Sequence, residues 1–403
     1  MKISLKKLGP GFLFAGAAIG VSHLVQSTRA GADFGFALLW ALILINIVKY
    51  PFFQFGPRYA SATGESLLEG YAKLGKGVLL AYFVLTFATM FTIQTAVTIV
   101  TAGIASSLFG GASSVIWTAI ITAVCFAILI IGKYKLLDKV MKVIVISLTI
   151  STVVAVLFAT KNAPSISLAQ DFPTNAASIA FLIAFMGWMP APLDISIWHS
   201  IWTVEKKKID PTLETKQSLF DFNVGYGATI ILGVGFVALG ALVMFNSGES
   251  FSSNGTTFAN QLIHMYTSSL GDWAKIIIGV AALTTMFSTT LTTLDASPRV
   301  MHKTSEIILN KPIARGYLIW LLVLVAGTLS IFFFFISEMG LLIKIATVLS
   351  FLTAPFYAIL NFLVIRSKQT PDSARPGPAM QMFSICSIFI LIGFSIWYVM
   401  TLF

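Results

Sequence analysis

Charge is scarce in this sequence of 403 residues. Asp, Glu, Lys and Arg make up only 10% of it, whereas soluble domains carry about 25%. Apolar residues make up 57%, and a chain with so little charge cannot cover a water-exposed surface of this size. The composition therefore excludes a soluble enzyme, a disordered chain and a secreted scaffold, and it predicts a multi-pass membrane protein.

Cysteine and histidine are also rare, with two and four copies. Because Cys125 and Cys386 both lie in apolar runs, we expect no disulfide framework and no metal knuckle. A glycine-rich nucleotide loop is missing, which argues against transport driven directly by ATP. The apolar runs contain no nucleophile–base pair and no His-rich metal set, so we expect no enzymatic activity and no resident cofactor.

Long apolar runs dominate what is present. Eleven are long enough to cross a bilayer, and they are too continuously apolar for β-barrel strands. Helices then remain as the way to satisfy the backbone, so we predict an all-α integral membrane protein with about 11 transmembrane helices in a single domain, 1–403. The predicted spans cover 9–33, 35–56, 77–109, 113–132, 140–160, 177–202, 222–246, 260–294, 316–336, 340–366 and 379–402.

The net charge of +10 has a topological explanation. Of the 26 Lys and Arg residues, 21 precede span 1 or follow spans 2, 4, 6, 8 and 10, which places them all on one side. The positive-inside rule then puts the N-terminus in the cytoplasm and the C-terminus outside, and we expect a plasma (inner) membrane. The lipid bilayer is the expected partner of a monomeric chain, and nucleic acid is not needed to explain the charge.

Span 1 carries a polar patch in mid-membrane, just beyond a glycine-rich apolar half that ends at Gly20. The polar residues that follow are spaced i, i+4, i+7 and i+11: Ser22, Gln26, Arg29 and Asp33. This spacing puts them on one helical face. Because polar groups that face lipid are costly, the face should contact protein or a water-filled path.

Span 6 contains Pro190 and Pro192, which should break the helix directly before Asp194. The break frees carbonyls and amides, and an ion or a substrate can become their partner. The alternative is a proline kink without a ligand role. Beyond the break, four polar side chains share one helical face: Ser196, His199, Ser200 and Thr203.

Spans 1 and 6 open two groups of five spans, 9–160 and 177–366, and 379–402 is an additional span. Matching breaks in two halves point to a secondary transporter with inverted repeats and a site near the bilayer midplane. Half-helix ends focus partial charge at that depth, and unwound carbonyls there can coordinate cations.

Several segments together carry a resemblance to a known family. Gly9-Pro10, a short apolar stretch and Phe34-Gly35 keep the spacing of its first motif without a gap. Other matching segments are Arg58, Thr63-Gly64, 67–69, Met189-Pro190, 287–292 and 354–356. The chain resembles the Nramp family of divalent-metal transporters over spans 1 to 10. The resemblance implies a LeuT-type 5+5 inverted-repeat fold with discontinuous spans 1 and 6.

The metal motifs of that family are altered here. Its Asp-Pro-Gly-Asn becomes Gly20-Val21-Ser22-His23, so the metal-binding carboxylate is replaced by glycine. Its Met-Pro-His-Asn becomes Met189-Pro190-Ala191-Pro192, in which only the thioether ligand remains. The family's acidic pair in span 3, tied to proton movement, has no acidic counterpart. Span 3 offers Thr89, Thr92, Gln94, Thr95 and Thr98 instead.

We expect the cargo to bind between the two breaks. The candidate substrate-binding residues are Gly20, Ser22, His23, Gln26, Met189, Pro190, Ala191 and Asp194. A metal ion would use His23, Met189 and Asp194 together with freed carbonyls, since thioether and imidazole suit Mn²⁺, Fe²⁺ or softer ions. The alternatives are that Asp194 caps the following half-helix and that His23 only bonds to backbone.

The expected coupling ion is H⁺ or Na⁺. Imidazole titrates near neutral pH, so His23, with His199 as a second group, can carry a proton. The hydroxyls of span 8, among them Ser288 and Thr289, would instead form an oxygen site for Na⁺ if they faced the break of span 1. The alternative is that they bond only to carbonyls of their own helix.

Three functions remain open. The first is a secondary-active transporter of divalent metal ions with altered selectivity. The second is a transporter of the same fold for a small polar organic solute, which the lost carboxylate and the neutral span 3 keep open. The third is a non-transporting sensor, against which stands the lack of an appended soluble domain.

Overall fold

The computed structural model describes residues 9–110, 113–131, 134–162, 167–245, 251–271, 274–335 and 339–401, and these contain helices and no strand. The α-helices are α1 (Pro10–Ala18), α2 (Thr28–Phe34), α3 (Leu39–Thr63), α4 (Leu67–Leu74), α5 (Lys76–Phe109), α6 (Ser114–Ile131), α7 (Tyr134–Asn162), α8 (Ala176–Trp188), α9 (Ile195–Ile209), α10 (Thr215–Val243), α11 (Gly255–Leu270), α12 (Ala274–Leu309), α13 (Gly316–Ser330), α14 (Met339–Arg366) and α15 (Pro378–Met400). The all-α prediction is confirmed for these residues.

The outer surface is that of a multi-pass membrane protein. Seven of the described helices are long and apolar enough to cross a bilayer, namely α3, α5, α6, α10, α13 with the turn after it, α14 and α15. Large apolar side chains point outward from the fold, and Phe389 on α15 is 69% exposed. In water such a surface would be an aggregation hazard, but against lipid it costs nothing.

Span 1 is discontinuous, as predicted. Its first half, α1, ends at Ala18, and the backbone of Ile19 leaves helical geometry before a π-helical turn over Ser22–Ser27 leads into α2. The start of α1 is held from span 7: Asp221 on α10 accepts hydrogen bonds from the amides of Gly9 and Gly11, at 3.1 and 2.8 Å. A carboxylate at this end complements the unpaired N–H groups of a helix start.

Span 6 is discontinuous as well. Its halves are α8 and α9, and the segment 189–194 between them is not helical except for a turn that leads into α9. The cause is visible in the sequence, because Pro190 cannot donate the hydrogen bond that the carbonyl of Met186 would receive in a continuous helix. Asp194 occupies the N-cap position of α9.

The predicted span 8, 260–294, is wrong in its bounds. Residues up to Leu270 belong to a separate helix, α11, which ends at Gly271 with a φ of +92°. Span 8 itself is α12 and runs on to Leu309, past Arg299 and Lys303, two of the four basic residues that were expected to follow it. The prediction merged the two because α11 is amphipathic, and its buried residues, among them Leu262 and Met265, extend the apolar run.

Glycine allows spans 1 and 7 to touch along their backbones. A Cβ atom on Gly240 of α10 would lie 2.2 Å from the carbonyl oxygen of Thr28, and one on Gly31 of α2 would lie 2.0 Å from that of Val237. Small residues at helix contacts permit such close approach in membranes. The second half of span 1 is therefore fixed against α10.

We predict that Gly240→Ala destabilises the protein by about 1–3 kcal/mol, because the new methyl group must push the two backbones apart. Gly227→Ala is the matched control on the same helix, since no heavy atom of the described residues lies within 4 Å of the place its methyl group would take. That control should be neutral or slightly stabilising, as alanine favours helix over glycine. Thermal unfolding of the purified proteins in detergent compares them. Equal midpoints for the two variants would contradict the close contact.

Candidate functional site

The two breaks face one small cavity of about 30 Å³ inside the fold, room for about one or two water molecules. Spans 1, 3, 6 and 8 all contribute to its wall. The lining residues are Ala17, Ala18, Val21, Ser22, Ile93, Val97, Trp188, Pro192, Asp194, Ile195, Trp198, Thr289 and Thr293. The breaks of spans 1 and 6 thus lie close together in three dimensions and line a common cavity.

Asp194 is the only carboxylate that the described residues place in this wall. It is 8% exposed, and it shares the wall of the cavity with the large apolar side chains of Trp188 and Trp198. Span 10 holds Trp188 in place, because the indole Nε1 of Trp188 donates a hydrogen bond of 2.8 Å to the hydroxyl of Ser350. A carboxylate in a largely apolar enclosure interacts strongly with a cation, a proton or an N–H donor that enters, because little water is present to compete.

Thr289 on α12 joins span 8 to the break of span 1. Its hydroxyl lies 3.1 Å from the carbonyl oxygen of Gly16 and 3.2 Å from that of Ile19. The contact is close, since a Cβ atom on Gly20 would lie 2.7 Å from the Thr289 methyl group. Two carbonyl oxygens near the break of span 1 that could bind Na⁺ are therefore already in contact with the Thr289 hydroxyl. Ser288, the neighbouring candidate, is buried but does not line the cavity.

Span 3 contributes an amide in place of an acidic pair. The Oε1 atom of Gln94 accepts a hydrogen bond from Thr293 at 2.6 Å, and its Nε2 atom donates to the carbonyl of Thr290 at 3.3 Å. Thr101 and Thr290 are also in contact, 2.7 Å apart at their hydroxyls. This uncharged network joins spans 3 and 8 beside the cavity.

His23 has both ring nitrogens engaged within the protein. Nδ1 lies 2.7 Å from the hydroxyl of Ser22 and 3.2 Å from the carbonyl oxygen of Ala18. Nε2 lies 3.0 Å from the carbonyl oxygen of Thr229 on α10. As a metal ligand His23 would have to give up one of these contacts, and in this conformation it does not line the cavity.

Met189 lies with His23 on the side of span 7. A Cβ atom on Gly233 of α10 would lie 3.6 Å from the Met189 sulfur and 3.8 Å from Cδ2 of His23. The sulfur also lies 3.6 Å from the hydroxyl of Ser27. The structure thus brings His23 and Met189 close together, whereas Asp194, the third candidate metal ligand, lines the cavity without them.

The remaining candidates are buried, and none of them lines the cavity. Gln26 lies in the π-helical turn of span 1, and Pro190 and Ala191 lie in the break of span 6. His199 stacks against Phe14 with ring centroids 5.5 Å apart. Neither ring nitrogen of His199 has a hydrogen-bond partner among the described residues.

Lys49, which was not predicted from the sequence as a site residue, donates hydrogen bonds to carbonyls at the break of span 6. It lies in the middle of α3 and is fully buried. Its Nζ lies 2.9, 2.7, 3.0 and 3.2 Å from the carbonyl oxygens of Met186, Gly187, Met189 and Ala191. A signal was present, since Lys49 is one of five basic residues that the one-sided charge distribution does not explain.

The described residues contain no group of three or more His, Cys, Asp or Glu side chains that could hold a metal ion. Among the described residues of the cavity wall, a bound metal ion would therefore find Asp194 as its one carboxylate ligand. Hydroxyls, carbonyls or water would complete its coordination shell. Mg²⁺ keeps several waters in protein sites, whereas a fully desolvated divalent ion needs more negative charge than this.

Comparisons with known proteins identify the family. The model of the family "Natural resistance-associated macrophage protein-like", Nramp, matches residues 11–401. An uncharacterized protein of Pasteurella multocida is 38% identical over 367 residues, which are 89% of this chain and 84% of that protein. The divalent metal cation transporter MntH of Yersinia pestis is 25% identical over 315 residues, or 75% of this chain and 73% of that protein.

The fold has solved counterparts. The manganese transporter of Eremococcus coleocola superposes with a TM-score of 0.69 at 13% identity, over 98% of this chain and 94% of that one. At this identity the likeness shows the fold alone, which is the LeuT-type transporter fold. The match of the family model over nearly the whole sequence shows more, and the chain belongs to the Nramp family of membrane transporters.

Proposed function

We propose that this chain is a secondary-active transporter that works by alternating access around the cavity between spans 1 and 6, with a selectivity altered from that of its relatives. The observation that carries the proposal is that the two broken spans meet at one small cavity. Breaks of this kind place half-helix ends and free backbone groups at the depth where transporters bind their cargo. Opening the space to one side and then to the other would move the cargo across.

A small metal ion is the first candidate cargo. Named relatives of this chain are metal transporters, and a space of about 30 Å³ admits an ion or a water molecule but no organic solute without opening. Asp194 would bind the ion, with the hydroxyls of Ser22, Thr289 and Thr293 or with water. The altered selectivity of the transporter would follow from the replacement of the family's metal-binding carboxylate by Gly20.

A small polar organic solute is the second candidate. Two observations favour it: Trp188 and Trp198 form large apolar walls, and Lys49 already occupies the carbonyls of the span 6 break. In a more open conformation these walls would contact the apolar part of a solute, and Asp194 would accept hydrogen bonds from its polar part.

Coupling and topology remain part of the proposal. A proton carried by His23 or His199, or Na⁺ bound near Thr289 and Ser288, would supply the driving force. The predicted orientation has the N-terminus in the cytoplasm and the C-terminus outside a plasma (inner) membrane, with the chain acting as a monomer.

Uptake into proteoliposomes tests the proposal. The panel contains Mn²⁺, Mg²⁺, Co²⁺, Zn²⁺ and a set of small amines, amides and amino acids, each measured with an imposed H⁺ or Na⁺ gradient and against empty vesicles. We expect one class of compound to be taken up faster than in empty vesicles and faster with a gradient than without. Folded protein that moves none of the panel under either gradient would contradict the proposal. Uptake of the organic solutes alone would select the second candidate.

A further inference from the structure

The Lys49 ammonium group occupies the place where the broken span would otherwise offer a cation site. Four carbonyl oxygens lie 2.7–3.2 Å from Nζ, and they belong to the end of α8 and to the break itself. The carbonyl of Met186 has lost its helical partner because residue 190 is a proline. In a helix end of this kind the unpaired carbonyls also carry the negative end of the half-helix dipole.

The geometry favours the charged form of the amine. An ammonium group has three N–H donors and no acceptor, so it can face four oxygens, with one proton shared. A neutral amine would turn its lone pair toward one of them. Because Lys49 is fully buried, no water replaces these contacts if they are lost.

We propose that Lys49 is the resident cation of the span 6 break. It is a positioning and specificity-determining residue: its ammonium group satisfies the carbonyls to which a metal ion would otherwise bind. The cargo is then bound by Asp194 and the cavity wall and not by the carbonyls of 186–191. Only this last consequence rests on the proposed transport function, because the occupancy of the carbonyls is independent of any cargo.

Amine rescue of a truncated side chain tests the proposal without cargo. Lys49→Ala removes three methylene groups and the ammonium group, which is close to the size of n-propylammonium. We expect the thermal midpoint of the purified variant to fall by roughly 5 °C or more. Millimolar n-propylammonium chloride should then restore at least half of this loss, whereas 1-propanol and NaCl should not.

The matched control is Lys344→Ala, which removes an exposed lysine from another spanning helix, α14. Its midpoint should stay at the wild-type value and should not respond to the amine. Lys49→Gln separates charge from hydrogen bonding, since the amide offers two N–H donors and no charge. We expect it to fold with a midpoint below that of the wild type.

A Lys49→Ala protein with the wild-type midpoint, or one that is destabilised and gains nothing from n-propylammonium, would overturn the proposal. So would a Lys49→Gln protein as stable as the wild type. If the alanine variant does not fold in ordinary buffer, it is purified in n-propylammonium: recovery of folded protein supports the proposal, and no recovery overturns it. Because the readout is unfolding, failure here leaves the transport proposal standing, and failure of the uptake panel leaves this one standing.

Discussion

Asp194→Asn reduces uptake roughly 10- to 100-fold or more while the protein remains folded. The side chain keeps its shape but loses its charge, and a hydrogen bond to a charged group contributes about 1.5–3 kcal/mol. At the cavity the loss is not compensated, because Asp194 is the single carboxylate among the described residues of the wall. Initial rates of uptake in proteoliposomes, for whichever compound the wild type transports, measure the effect.

The control for this variant is Asp171→Asn, which removes an exposed carboxylate outside the helices. It should leave the uptake rate within about twofold of the wild type, since surface substitutions rarely have larger effects. Thermal midpoints of both variants show whether they fold. A folded Asp194→Asn protein with the wild-type rate would remove Asp194 from the site.

Gly20→Ala should slow uptake for a steric reason. The added methyl carbon would lie 2.7 Å from the Thr289 methyl group and 2.8 Å from its hydroxyl oxygen. Either the Thr289 side chain must rotate out of its contacts with the carbonyls of Gly16 and Ile19, or spans 1 and 8 must move apart, at a cost of about 1–3 kcal/mol, and the wall of the cavity changes with it. We expect the initial rate of uptake to fall at least roughly tenfold.

A second-site change distinguishes this contact from a general loss of stability. Thr289→Ala removes both of the nearest atoms, so Gly20→Ala combined with Thr289→Ala should be faster and more stable than Gly20→Ala alone. Thr289→Ala alone should be slower than the wild type, because it loses the contacts to the carbonyls of Gly16 and Ile19. If the reduction in rate in the double variant equals the product of the two single reductions, direct contact between the two positions is contradicted.

The sequence was sufficient to predict the features that depend on local chemistry. Pro190 and Pro192 break span 6 because proline lacks the N–H that a helix needs, and a glycine-rich stretch marks the break of span 1. The membrane class followed from composition, and the family followed from motif spacing and is confirmed. The candidate binding residues themselves stay predictions until transport is measured.

The features that the sequence did not reveal depend on contacts between distant segments. Nothing near Lys49 in the sequence indicates that its partners are carbonyls about 140 residues away. Asp221, which holds the start of α1, lies more than 200 residues from Gly9. The predicted bounds of span 8 were wrong for another reason, since an apolar pattern does not distinguish a separate amphipathic helix from the start of a span.

Thiol labelling of Ser22→Cys tests most directly whether the cargo binds between the two broken spans. Ser22 lines the cavity, and the matched control is Asp171→Cys at an exposed position outside the helices, with Cys386 replaced by serine in both proteins. We expect a saturating concentration of the transported compound to slow the reaction of the thiol at position 22 with a small methanethiosulfonate reagent at least roughly tenfold and to leave the thiol at position 171 unaffected. Equal labelling rates at position 22 with and without that compound would contradict binding at this place.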